Sequence, residues 1–271
     1  MKMLRHVLIG VLCVSGTAAA AQSPTLNGVN FLQGPAVGKL GEVAEVQVPA
    51  GFVFAGPDDA RTILEAMHNP TTGTEMGFLS SLNEDWFVVF EFDDVGYIRD
   101  NEKDSLDADA ILASLVKGND RANVERRRKG WPESRIVGWE QKPSYDESTH
   151  NLQWAIRGAS EQGESINFNT RLLGRGGVMS ATLVTAPEVL ASTLPQFKDV
   201  LTGFDFVQGQ RYAEYRQGDK IAKYGLSALI VGGAAAVAVK TGLAKWVWKA
   251  LVFGGVAIAS VFRKVFKGNR A

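Results

Sequence analysis

The chain has 271 residues, 45% of them hydrophobic and 21% charged, with 29 basic residues against 29 acidic ones. That length and apolar content exclude a disordered polypeptide and leave about 200 residues for a packed core, as one domain or two small ones. Its one cysteine, Cys13, excludes a disulfide framework or a cysteine metal centre in the body of the chain.

Residues 1–21 have the plan of a secretory leader. Lys2 and Arg5 supply the positive end, Val7 to Val14 the apolar stretch, and Ala18 to Ala21 the small-residue cleavage site. Cleavage after Ala20 or Ala21 removes Cys13 as well. No small residue directly precedes Cys13, as a lipoprotein leader would require. With the leader set aside, charge is strongly segregated. No acidic residue follows Asp219, and eight basic ones follow Lys220, so residues 22–220 hold 19 basic against 29 acidic residues, a net of −10. An acidic body speaks against nucleic acid as a partner.

Residues 22–217 read as an exported α+β domain, mainly an antiparallel sheet with helices packed on it. Val29 to Gln33, Val43 to Val48 and Phe52 to Ala55 predict short strands around the turn Pro49-Ala50-Gly51. Pro57, Asp58 and Asp59 open a helix that carries Ala60, Ile63, Leu64 and Met67 on one face and stops at Asn69-Pro70. Strands are predicted over Gly77 to Leu82 and Trp86 to Phe92, then a helix from Asp107 to Lys129. Its basic end, Arg126 to Lys129, complements the helix dipole as a solvated terminus, or contacts anionic lipid. Four strands follow, Arg135 to Gln141, Leu152 to Arg157, Ser165 to Leu173 and Val178 to Thr185, with turns at Pro143 to Asn151 and Gly174 to Gly177. Pro187 opens a last helix reaching about Thr202.

No motif here carries a recognised chemistry. His68 and His150 are the histidines left after processing, and neither has zinc-ligand spacing. Tyr145, Asp146 and His150 share one loop and could form an acid–base set for a hydrolase, although these are also ordinary turn residues. Asp100, Glu102 and Asp104 have the alternate spacing of a calcium loop, but Ser105 replaces the needed glycine and Ile111 the bidentate glutamate. Gly174-Arg175-Gly176-Gly177 lacks the helix and Lys-Ser/Thr of a phosphate loop. No cofactor is implied.

Residues 218–271 read as a membrane anchor. Between Lys223 and Lys240 there is no charge, and Asp219 is a candidate N-cap for a helix crossing the bilayer at about residues 221–243. A buried core helix is the alternative. Ala228, Gly232 and Ala236 fall on one face, where a second helix could approach closely. A second apolar run, Ala250 to Phe262, lies within a membrane helix at about 246–266, either in the membrane surface with Trp246 and Trp248 at headgroup level or as a second crossing. Unopposed basic charge keeps the C-terminus in the cytoplasm and the acidic domain in the periplasm, anchored to the bacterial inner membrane.

Several stretches together resemble a family of uncharacterised bacterial membrane-anchored proteins grouped as a domain of unknown function. They are Val48-Pro-Ala-Gly-Phe-Val-Phe54, Gly138-Trp139 with Pro143-Ser-Tyr-Asp146, Leu152-Gln-Trp-Ala155, Leu173-Gly-Arg-Gly-Gly-Val178 and Gly218-Asp-Lys-Ile-Ala-Lys-Tyr-Gly225. The resemblance implies a membrane-anchored protein and brings no activity with it. The reading that follows is a non-catalytic module that binds membrane lipid and an envelope protein. A periplasmic hydrolase and a carrier of lipid or another small ligand are the rivals.

Overall fold

The computed structural model describes residues 25–26, 28–104 and 106–231. The strands are β1 (Thr25–Leu26), β2 (Val29–Asn30), β3 (Leu32–Gln33), β4 (Ala36–Leu40), β5 (Ala44–Val48), β6 (Phe52–Ala55), β7 (Glu75–Ser81), β8 (Phe87–Asp93), β9 (Ser134–Asp146), β10 (Asn151–Ser160), β11 (Gly163–Leu173), β12 (Val178–Thr185) and β13 (Phe204–Phe206). The α-helices are α1 (Pro57–Ala66), α2 (Ala108–Arg128), α3 (Leu190–Thr202) and the short α4 (Leu226–Ile230). This is an α+β fold built on a large antiparallel sheet with few helices, as composition and periodicity predict.

Eight strands form the main sheet in the order β3-β6-β7-β8-β12-β11-β10-β9, and β13-β5-β4 form a smaller one. Every ladder in both is antiparallel. The central strands β11 and β12 are covered on both faces, which is why they are buried at nearly every position. On one face, Phe168, Ala181, Val88 and Leu79 meet Val46 and Val48 of the small sheet and Phe197 and Val200 of α3. On the other face, α1 buries Ala60, Ile63 and Leu64 against Phe78, Phe87 and Val89. Beyond α1 on that face, Ile111 of α2 joins Leu152, Trp154 and Ile156 of β10.

Helix α2 starts where its cap chemistry says. Asp107 accepts from the backbone N–H groups of Asp109 and Ala110, as an N-cap does. At its other end, the buried Arg126 donates to the carbonyls of His68 and Pro132 and to Asn69 Oδ1. One member of the basic run is therefore a structural latch to the segment after α1, not a lipid contact.

Three local readings change. Strands β4 and β13 were not predicted, because Gly38 breaks the alternation in one and the other has three residues. Strand β9 runs on through Pro143 to Asp146, where the composition predicts a turn. It lies at the edge of the sheet, where a proline without an N–H removes no ladder bond.

The third change is the largest. Asp219 does not cap a helix over 221–243. Residues 219–231 instead form a strap lying on the domain. Tyr97 N–H donates to the Lys220 carbonyl at 2.8 Å, and Ala222 N–H donates to the Tyr97 carbonyl at 2.9 Å, a parallel bridge. Then α4 puts Leu226, Leu229 and Ile230, 0–3% exposed, into the cluster of Ile98, Ile111, Leu152, Trp154 and Val178. Three residues of the predicted crossing are therefore domain core. Lys223 is exposed and Ala228 half-buried. The leader, Gly232, Ala236, Lys240, Trp246, Trp248 and the second apolar run lie outside the described residues. Among the described residues no helix is long and apolar enough to cross a membrane.

Leu229→Ala should destabilise the protein by about 2–5 kcal/mol, as truncation of a buried leucine does. Leu32→Ala, at a position 40% exposed, should cost no more than about 0.5 kcal/mol. Urea unfolding of the two variants checks the difference, and equal midpoints would mean that the strap is not core.

Candidate functional site

The strap crosses one end of the sheet beside a cluster of aromatic residues. Tyr97 follows β8, Tyr145 ends β9, and Tyr212 and Tyr215 lie in the segment between β13 and the strap. Tyr97 packs on Tyr212 with ring centroids 4.4 Å apart and planes at 14°, and on Tyr215 at 4.4 Å and 39°. His150 packs on Tyr212 at 4.7 Å. The rings Tyr215, Tyr97, Tyr212 and His150 thus make one continuous stack. The Tyr212 hydroxyl donates to the Ile98 carbonyl at 2.8 Å, which fixes the stack to the strand bonded to the strap.

Polar groups cluster at the His150 end of the stack. Tyr145 Oη donates to Asp100 Oδ2 at 3.0 Å and lies 3.1 Å from His150 Nδ1. A phenol has one proton, so donating it to the carboxylate leaves Oη to accept from an Nδ1–H, with His150 Nε2 as the outward nitrogen. Burial, and then the hydrogen bond to Asp100, push the Tyr145 phenol above its ordinary range. Burial likewise raises Tyr212. Both phenols stay protonated at neutral pH and serve as donors, not as bases. His150 sits in the turn between β9 and β10 at φ 54°, a left-handed conformation uncommon outside glycine.

Sequence reasoning placed Tyr145 and His150 together, and they are. Asp146 is not the third member. Its carboxylate turns back to accept from Ser148 N–H and Oγ and from Thr149 N–H, an Asx turn that holds the loop. Asp100 replaces it, drawn from the proposed calcium loop 45 residues upstream. The other members of that loop go elsewhere: Glu102 Oε2 accepts from Ser227 N–H of the strap at 3.3 Å, and Asp104 is exposed. Among the described residues no group of three or more His, Cys, Asp or Glu is arranged to hold a metal ion. Tyr97, Tyr212 and Tyr215 were missed. Tyr97 stands alone in its segment and Tyr212 and Tyr215 share another far along the chain, and a count could only note that the chain has five tyrosines.

The strap is locked beside this cluster by chemistry from the β11–β12 turn. Arg175 Nε and Nη2 each donate to the Asp219 carboxylate at 2.7 Å, a bidentate pair. Asp219 Oδ2 also accepts from Arg216 N–H at 2.7 Å. Those bonds, the Arg175 pair first, hold the Asp219 carboxyl down to about 2. Two glycines allow the close fit. Gly96 has φ +94°, and a Cβ there would lie 2.5 Å from the Lys220 carbonyl oxygen, while a Cβ at Gly225 would lie 2.4 Å from the Glu102 carboxylate. Beneath the strap, Arg171 of β11 is buried with its guanidinium 4.6 Å from the centroid of the Trp154 ring. Burial lowers its basicity, partly offset by the nearby Glu91 and Asp93 carboxylates.

A family model described as "Protein of unknown function (DUF2167)" matches residues 33–263. No curated protein matches the chain. Among solved structures, the cyanobacterial PsbP protein (CyanoP) of Synechocystis sp. PCC 6803 is similar at 12% identity, covering 65% of this chain and 96% of that one, with a TM-score of 0.40. The Ran-binding protein Mog1p of Saccharomyces cerevisiae is similar at 8% identity, covering 69% of this chain and 98% of that one, with a TM-score of 0.31. PA94 of Pseudomonas aeruginosa, a protein of unknown function, is similar at 16% identity over 43% of this chain and 69% of that one, with a TM-score of 0.24. Scores this low establish no common function.

The lowered Asp219 value has a definite sign. The unfolded chain binds a proton there at the ordinary carboxylate value, near 3.9, before the folded protein does. The stabilisation is thus fully present above about pH 4 and is lost as pH falls through about 2. Asp219→Asn should flatten the loss of stability between pH 4 and pH 2 relative to the wild type. Urea midpoints at those pH values measure the difference, and parallel curves would mean that Asp219 titrates normally.

Proposed function

Because the chain belongs to the family of proteins of unknown function DUF2167, whose model spans residues 33–263, we propose a function from its own chemistry: it is an exported, membrane-anchored, non-catalytic binding module of the bacterial envelope. The single observation that carries this reading is the strap. The chain leaves the domain core at Ile230 and continues into a stretch rich in apolar and basic residues with no carboxylate. The family match runs through that stretch to residue 263, which supports taking domain and anchor as one working unit.

Docking of Leu226, Leu229 and Ile230 on the domain changes which run crosses. What is left of the first run, Val231 to Val239, has nine residues, about half of a crossing. We assign it to the outer membrane–water interface. The second run is the better crossing once Trp246 is counted as its outer end. Trp246 to Phe262 has 17 residues, which is within the range of about 17–25 that spans a bilayer. Trp246 and Trp248 then occupy headgroup level and Lys249 snorkels outward, while Arg263, Lys264, Lys267 and Arg270 flank the cytoplasmic end. The domain lies in the periplasm and the C-terminus in the cytoplasm.

A hydrolytic reading has the Tyr145, Asp100 and His150 hydrogen bonds in its favour. However, Tyr145 spends its proton on Asp100 and is held protonated, so it is a poor nucleophile or base. A binding role suits these groups better. The outward His150 nitrogen and the stacked phenols offer fixed polar and aromatic contacts at the end of the sheet that carries the strap.

In spheroplasts, a membrane-impermeant maleimide should label Thr25→Cys and Thr241→Cys and leave Lys267→Cys unlabelled until the membrane is opened. Protection of Thr241→Cys would return the crossing to the first run. Labelling of Lys267→Cys would remove the single crossing.

A further inference from the structure

We propose that the aromatic end of the domain lies directly on the outer leaflet, with Tyr215, Tyr97 and Ile221 at headgroup level and Arg216, Lys220 and Lys223 toward anionic headgroups. This names the partner of the site above and rests on the membrane-anchored reading.

Three observations place this face against lipid. The first is the attachment of the strap, whose last described residue, Val231, leads directly into the apolar and basic stretch. The last 13 described residues of the strap, 219–231, are held by the Arg175 pair, the two bonds to Tyr97, the Glu102 contact and three buried aliphatics. These contacts fix the end of the domain from which the apolar and basic stretch continues. The end that carries Ile230 is brought to the membrane with the residues that follow.

The second is the character of the surface. Tyr215 and Ile221 are each 38% exposed and lie together on one face. They adjoin through Tyr97, which packs on Tyr215 and forms the bridge with Ile221. Tyrosine is enriched at membrane–water interfaces because its ring is apolar and its hydroxyl polar. The third is charge. The body is acidic, yet Arg216, Lys220 and Lys223 all stand exposed around this patch. Lys220 Nζ donates to the Asp94 carbonyl at 2.8 Å and pairs with the exposed Asp94 carboxylate at 3.5 Å, which leaves the pull on anionic headgroups mainly to Arg216 and Lys223. A basic residue near an anionic leaflet is attracted to it, and that attraction falls off within a Debye length. The basic end of α2 is not a competitor for this role. Ile111 of α2 packs in the strap's cluster, and Val124 is 13 residues further along the helix, or about 20 Å away.

The processed chain has no cysteine, so single-cysteine variants of the full-length protein report cleanly. Tyr215→Cys, Ile221→Cys and Val124→Cys would each carry an NBD fluorophore. The protein would be reconstituted in phosphatidylethanolamine–phosphatidylglycerol vesicles doped with nitroxide-labelled phosphatidylcholine. Strong quenching at Tyr215→Cys and Ile221→Cys with little at Val124→Cys is the expected result. Replacing phosphatidylglycerol by phosphatidylcholine, or adding Arg216→Glu with Lys223→Glu, should reduce the quenching at Tyr215→Cys. Weak quenching at all three sites, in protein that still resists carbonate extraction, would overturn the inference and leave the anchor intact. Release by carbonate would remove the anchored reading, and the inference with it. Two patch positions are probed so that the loss of one variant to misfolding does not decide the matter.

Discussion

The strap and the aromatic cluster beside it depend on the burial of Leu226, Leu229 and Ile230 against the end of the main sheet. Those side chains follow the seven strap residues that pass the aromatic cluster, 219–225, and they precede the apolar tail. Removing three aliphatic side chains from water is worth roughly 5–8 kcal/mol before any entropy of ordering, comparable with the net stability of a typical domain. The Arg175–Asp219 pair is bidentate and partly shielded, but ion pairs of this kind add little net stability. Apolar burial therefore holds the strap down, and the ion pair with the Tyr97 bridge sets its register. Without that burial the aromatic stack would lose the backbone it rests beside.

Much of the fold was legible in the sequence because periodicity and punctuation agreed. Pro57 and Asp107 opened helices, the strands from Trp86 to Thr185 kept their patterns, and Gly174 to Gly177 turned the chain. Strand β4 was hidden by Gly38, and the length of β9 by Pro143, which an edge strand tolerates. The strap was hidden for a different reason. Leu226, Leu229 and Ile230 are as apolar as any lipid-facing residue, and hydropathy has the same sign for a protein core as for a bilayer. Only the surface that waits to receive them distinguishes the two, and that surface is assembled from α2, β10, β12 and the segment after β8.

The candidate site was half legible. Tyr145 and His150 lie five residues apart across one turn, so their meeting is local and the sequence implied it. Asp100 was in view only as part of a metal loop, because its real partner lies 45 residues away across the sheet. Asp146, the nearest carboxylate in sequence, was the natural third member. A short side chain just before a turn, however, bonds its own backbone more readily than a neighbouring ring. The stacking of Tyr97 on Tyr212 and Tyr215 depends on two connections far apart in the chain converging, and nothing local announces it.

Native-state hydrogen exchange of the full-length protein in lipid nanodiscs tests the docked strap most directly. The Tyr97, Ala222 and Ser227 amides are bonded across the strap contact. The account predicts that they exchange as slowly as amides in β10 and β11, opening only with the domain. Exchange at the rate of an unstructured chain, with β10 and β11 still protected, would show the strap to be a free linker and contradict the account.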